Sequence, residues 1–180
     1  MIRTIASFLT YFDAVHRRAV RDITALPAGA DGWTPAAGSG EGAWSINQLV
    51  GHMAGSRLYF ASAYLGRGWI SPLPPDVSTR ASWAPALEQS ARQFHELLDG
   101  TPVAWLDRKI EMIDGGGALS GWRVLMMMLE HDIHHRSQID TYAGLNGWNP
   151  PDIYGRSAEQ IGERQAAQRA KHAGSTEGAA

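Results

Sequence analysis

Residues 120–144 limit the possible folds more than any other part of the chain. The run SGWRVLMMMLEHDIHHRSQIDTYAG opens on Ser120 as a helix N-cap and ends at Gly144. At helical spacing Trp122, Leu125, Met126, Leu129 and Ile133 fall on one side. Val124, Met128, His131, His135, Ile139 and Tyr142 fall on another. A helix that is apolar on more than one side has to bury both, which makes it an inner member of a packed assembly. The expectation is a helix bundle in which one side of this segment meets core and the other faces a cavity containing histidine.

The remaining periodic segments supply partners for it. Ile5, Phe8, Leu9, Phe12, Ala19 and Ile23 form the apolar stripe of a first helix that stops before Pro27, with Arg17, Arg18 and Arg21 mostly on the opposite side. Residues 27–43 are rich in Gly, Pro and Ala and read as a loop. A second helix starts at Ser45, where Ser45 and Gln48 make a capping box. Ile46, Leu49, Val50, Met53, Phe60, Ala61 and Tyr64 keep its period until Gly66, Gly68 and the prolines at 72, 74 and 75 end it. A third helix is expected from about residue 82 to Leu98, with Pro85 in its first turn and Gly100 as its stop. Residues 101–118 carry no clear period, and DGGG at 114–117 reads as a loop. After the turn-rich segment 146–155, Ser157 and Gln160 repeat the capping pattern ahead of a polar helix over 158–171. The fold class is therefore all-α, a bundle domain over 1–156 followed by a C-terminal helix and a disordered tail over 157–180. A chain of 180 residues is long enough for one such core without covalent staples.

The chain has no cysteine, so disulfides, cysteine-ligated metals and a protein thiol nucleophile are excluded. Any metal must be held by His, Asp or Glu. His131 and His135 are four apart, which leaves them about 40° apart around the helix axis and one turn apart along it. Two imidazoles so placed can chelate one ion. His52 sits at the edge of the apolar stripe of the second helix, and neighbouring bundle helices bring such side chains together. Three neutral imidazoles and an open position are a ligand set for catalytic zinc. Spacing alone also admits His134, three residues after His131, in place of His135, and His52 taken by itself reads first as an ordinary satisfied or half-exposed histidine. His16, His95 and His172 lack partners at metal spacing and read as surface residues.

Gln138 projects towards the histidine side and is a candidate to orient a ligating ring, as is His134 if it is not itself a ligand. Glu130 and Asp132 read as solvated helix surface and Arg136 as one half of an ion pair on the helix flank. Tyr59 and Tyr142 are candidates to line the cavity. Sixteen Lys and Arg against eighteen Asp and Glu leave no basic stripe for nucleic acid. No apolar run is long enough for a membrane span, and the cytoplasm is the expected compartment. The paired Glu-x-x-His motifs of carboxylate di-iron bundles are absent.

Three segments together carry a resemblance: WSINQLVGHMAGSRLYF (44–60), LEHDIHHRSQID (129–140) and NGWNPPDIYG (146–155). In order and spacing they resemble the DinB/YfiT-like metalloenzyme superfamily, whose pattern is a Trp-Ser helix start leading to a His, an H-x-x-H-H-R-x-Q block and a Gly and Pro-Pro segment. The resemblance implies a four-helix bundle with a long crossover connection, often a homodimer. It implies His52, His131 and His135 as the ligands of one divalent ion, zinc first, with nickel, iron or manganese as alternatives. Relatives of known activity include bacillithiol transferases and mycothiol-dependent maleylpyruvate isomerase. The activity implied is S-transfer or hydrolysis on a small molecule, the reacting group being a water or a low-molecular-weight thiolate held at the ion. Ser137 stands where the family usually has Gly. The alternative is a non-catalytic dimeric metal-binding or stress-related module.

Overall fold

The first helix, α1 (Ile5–Ala25), is opened by Thr4, whose hydroxyl accepts from the Ser7 amide at 3.1 Å. The second, α2 (Ile46–Tyr64), begins with the expected capping box. Ser45 Oγ accepts from the Gln48 amide at 3.1 Å, and Gln48 Oε1 accepts from the Ser45 amide at 2.8 Å. These contacts come from a computed structural model, which describes residues 3–177. By internal contacts the chain divides into two compact units, Met1–Pro150 and Pro151–Ala180.

Helix α3 (Arg80–Leu98) starts ahead of the expected residue 82. The reason is tertiary: the Arg80 guanidinium donates to the carbonyls of Leu26 and Thr24, both at 2.8 Å, and ties this helix start to the end of α1. Pro85 consequently lies beyond the first turn and removes the bond that the Ala81 carbonyl would receive. Residues 101–118, which carry no period, hold a 3₁₀ turn at Val103–Leu106 and β1 (Lys109–Glu111). This strand pairs antiparallel with β2 (Ala118–Ser120), with Ile110 opposite Leu119, and the DGGG segment makes the connecting loop.

Helix α4 (Gly121–Leu145) follows β2 directly. Ser120 is its N-cap residue, but the hydroxyl makes no capping bond. Gly121 is required there by close approach: a Cβ would lie 2.1 Å from the Trp105 carbonyl oxygen. The main helix contacts are those of α1 and α2, each with α3 and α4, so α1 and α2 stand at opposite corners of a four-helix bundle. Long connections over 26–45, 65–79 and 99–120 make that arrangement reachable.

The core has two parts. Phe8, Phe12, Phe94, Leu125 and Met128 belong to one, and Ile23, Leu49, Met53, Trp83, Leu87 and Ile139 to the other. Arg57 touches both and is fully buried. Its guanidinium lies 5.3 Å from the centre of the Phe12 ring and donates to the Leu87 carbonyl at 2.8 Å.

In the second unit α5 runs Ala158–Glu177, past residue 171 where the sequence pattern ends it. Ser157 and Gln160 make its reciprocal start, each bond at 3.3 Å. Residues 178–180 of the expected tail lie outside the described residues. Among the described residues no helix is long and apolar enough to cross a membrane.

Candidate metal centre

Helix α2 presents His52 two turns after its cap, and α4 presents His131 and His135 one turn apart. Their rings meet. His52 Nε2 lies 2.8 Å from His131 Nε2, which lies 3.2 Å from His135 Nε2. A zinc–nitrogen bond of about 2.0–2.1 Å implies about 3.3 Å between nitrogens at the corners of a tetrahedron. The three nitrogens are therefore near the separations at which one ion would bridge them. All three rings are held below the ordinary imidazole pKa, first by burial. For His131, where repulsion from His135, His52 and His134 adds to burial, the value falls to about 3. The rings are neutral at pH 7 and their lone pairs are free to ligate. His131 Nδ1 is buried without a hydrogen-bond partner, so nothing on that side of the ring competes for its tautomer. The donor set fits a divalent ion with nitrogen preference.

Gln138 orients one of these rings. Its Oε1 lies 3.1 Å from His135 Nδ1, and its Nε2 donates to the Glu41 carbonyl at 2.7 Å and to Tyr142 Oη at 2.9 Å. With the amide so fixed, His135 Nδ1–H donates to Oε1 and Nε2 keeps its lone pair for the cluster. Tyr142 in turn donates to the Gly42 carbonyl at 3.0 Å. The 3₁₀ turn Gly40–Ala43 is thereby held over the end of the site. Trp44, one residue beyond that turn, stands edge-on to His52 at 4.9 Å and stacks over His135 at 6.4 Å. Phe60 closes the His131 side at 5.9 Å.

The other sequence candidates fall elsewhere. His134 is exposed; its ring lies 4.9 Å from His135, and with Glu41 it forms a second grouping around that residue rather than joining His52 and His131. Glu130 pairs with Arg123 at 2.9 Å on the surface. Asp132 is not on the solvated surface: its side chain is fully buried and accepts from Arg57 Nε at 3.0 Å and Nη2 at 2.8 Å. Arg136 is likewise buried rather than on an open flank, with Nε 3.8 Å from Asp22 Oδ2. His16, expected on the surface, is partly buried with Nδ1 3.3 Å from Arg57 Nη1. His95 pairs with Asp13 at 2.6 Å. Trp69 and Arg57 are the residues that sequence reasoning missed. Trp44 entered it only as part of the Trp-Ser helix start, with no role at the histidines.

The site opens on a cleft of about 960 Å³ that runs along α2 beneath the crossover segment 65–79. That segment is pinned at both ends. Trp69 Nε1 donates to the Glu111 carbonyl at 2.7 Å, and Asn47 Nδ2 donates to the Ser78 carbonyl at 2.9 Å. Val77 packs where a Cβ on Gly51 would come within 2.9 Å of it, so Gly51 seats the crossover against α2.

The sequence profile of the DinB family matches residues 1–168. No curated protein matches the chain. Among solved structures, a DinB-like protein from Bacillus cereus ATCC 10987 superposes with a TM-score of 0.68 at 18% identity, covering 84% of this chain and 99% of the other. A DinB-like protein from Bacillus subtilis superposes with a TM-score of 0.62 at 18% identity, covering 82% and 97%. At that identity the likeness is one of fold.

Proposed function

The chain belongs to the DinB family, and we propose that it is a metal-dependent enzyme acting on a small electrophilic molecule. In this reading His52, His131 and His135 hold one divalent ion, zinc first. The observation that carries it is the convergence of three neutral imidazole nitrogens at 2.8 and 3.2 Å. An ion held by three imidazoles with an open position lowers the pKa of a water or thiol and polarises a substrate oxygen. The chain's own groups do the rest. Gln138 sets the tautomer of His135, Trp44 and Phe60 keep bulk water from the rings, and the cleft admits the substrate. The bond formed runs from the oxygen of water or the sulfur of a low-molecular-weight thiol to the electrophilic carbon. The nucleophile's proton passes to solvent, and the leaving group departs with the electron pair of the bond that breaks.

A purely structural metal would call for a fourth protein ligand closing the site. Among the described residues the cluster around His52 and His131 has three, and its remaining side faces the cleft. The reading carries with it a cytoplasmic homodimer, the second part testable by light scattering. Its main test is elemental analysis of untagged protein beside His52→Ala and His131→Ala. One ion per chain in the parent, lost in both variants with helical content retained, supports it. Absence of metal after reconstitution overturns it and leaves a non-catalytic module.

A further inference from the structure

One hydroxyl of the cleft wall has no partner. Several helical hydroxyls of this bundle are satisfied on their own backbone: Thr10 donates to the Ala6 carbonyl at 3.0 Å, Ser90 to the Leu87 carbonyl at 3.0 Å and Thr141 to the Ser137 carbonyl at 2.9 Å. Ser56, in the middle of α2, makes no such bond, and among the described residues its hydroxyl has no other protein partner. The residue is only 7% exposed, and it lines the cleft. Burying a hydroxyl without a hydrogen bond is unfavourable, so its natural partner is a group that belongs in the cleft.

The other polar side chains along the cleft differ from it. Asn47 accepts from the Gly32 amide at 2.9 Å while donating to the Ser78 carbonyl, and Gln48 is committed to the capping box. Trp69 gives its one donor to the Glu111 carbonyl. Ser71 and Ser78 are exposed and Tyr59 is half-buried, so water reaches their hydroxyls. Ser56 also stands beside the histidines. His52, Ser56 and Phe60 follow one another at four-residue steps, which puts them on one face of α2. The outer two both meet His131, His52 through the 2.8 Å contact of its Nε2 and Phe60 through ring packing at 5.9 Å. The hydroxyl between them is therefore presented at the His131 end of the cleft.

We infer that Ser56 positions the substrate: its hydroxyl donates a hydrogen bond to an oxygen carried by the electrophilic carbon, the same oxygen that the ion polarises. The class this selects is an oxygen-bearing electrophile, a carbonyl compound or an epoxide. The inference rests on the enzyme reading above. As the nucleophile's bond forms, charge gathers on that oxygen and the hydrogen bond strengthens with it. A sulfur ligand at the ion gains little from the same donor, because sulfur is a weak acceptor.

The test uses the full chain with cobalt in place of zinc and follows the visible spectrum as two probes are titrated in. Acetohydroxamate places charged oxygen at the ion, and ethanethiol places sulfur there. Ser56→Ala should weaken acetohydroxamate at least about fivefold, the loss of a hydrogen bond to a charged oxygen. It should shift ethanethiol by less than about twofold, with metal content at the parent level. Because the hydroxyl holds nothing in the fold, Tm should be unchanged or higher. Ser71→Ala, on the exposed wall of the same cleft, should leave both probes at the parent affinity. A smaller loss for acetohydroxamate, an equal or larger loss for ethanethiol, or a lowered Tm overturns the inference and leaves the enzyme reading standing. A parent protein that takes up neither cobalt nor zinc overturns the enzyme reading and the inference with it.

Discussion

Replacing Arg57 by methionine should cost this protein more than any surface change, because of what the guanidinium leaves behind. Arg57 is fully buried and donates from Nε and Nη2 to Asp132 Oδ2, and from Nη1 to the Leu87 carbonyl and Ser90 Oγ. Asp132 Oδ1 is already buried without a partner, so the variant strands a whole carboxylate in the core. Removing one member of such a pair costs about 3–5 kcal/mol. For a chain of this size that is a fall in Tm of about 6–20 °C. Thermal and urea unfolding followed by circular dichroism measure it. Asp132→Leu added to Arg57→Met should recover at least half of the loss, since two apolar side chains then fill the space. A loss under about 1 kcal/mol, typical of a surface pair, would refute the claim that this bond organises the core. Metal affinity should fall with stability in the single variant, because Asp132 sits between His131 and His135 on α4 and sets how that helix faces α2.

Other predictions follow from individual contacts. Gln138→Leu frees the His135 tautomer and should weaken zinc affinity by about 10–100-fold, read by competition with a chromophoric chelator, with the helical spectrum unchanged. Gly121→Ala drives a methyl into the Trp105 carbonyl and should destabilise by about 1–3 kcal/mol in the same unfolding assay. Asp140 is half-buried, and that burial, with the Asp22 carboxylate second, raises its pKa to about 6. Its contribution is therefore present below the unfolded value and lost as pH rises to about 6. Asp140→Asn should raise Tm at neutral pH and make no difference near the bottom of that window. His16, lowered to about 4 by burial and by Arg57, acts in the opposite sense. Stability is intact above its unfolded value of 6.5 and is lost as pH falls towards 4, and His16→Gln should flatten that acid limb.

Much of the bundle was readable from residue spacing because its helices are long and their apolar faces are local properties. The two-sided pattern over 120–144 required an inner helix, and the Ser45–Gln48 box marked the start of α2 from two residues. The i, i+4 spacing of His131 and His135 put both imidazoles on one face, where the structure brings them to His52. What escaped reading is what depends on distant partners. Asp132 and Arg57 are 75 positions apart, and either alone looks like surface because a single buried charge is prohibitively costly. Only the pair makes the burial affordable. The start of α3 depends on carbonyls of α1 that Arg80 reaches. Strands of three residues are too short to show an alternating period, and so β1 and β2 were invisible. Trp69 lies in a proline-rich connection with no period, and its place in the cleft wall comes from a single bond to the hairpin.

The central claim is that three imidazoles hold one ion and leave its last position open to the cleft. X-ray absorption at the zinc edge of the reconstituted protein tests it directly. The account predicts one zinc per chain with three imidazole nitrogens and one further light atom, all at about 2.0–2.1 Å. Four imidazoles, with His134 as the fourth, or a shell dominated by carboxylates, would contradict it.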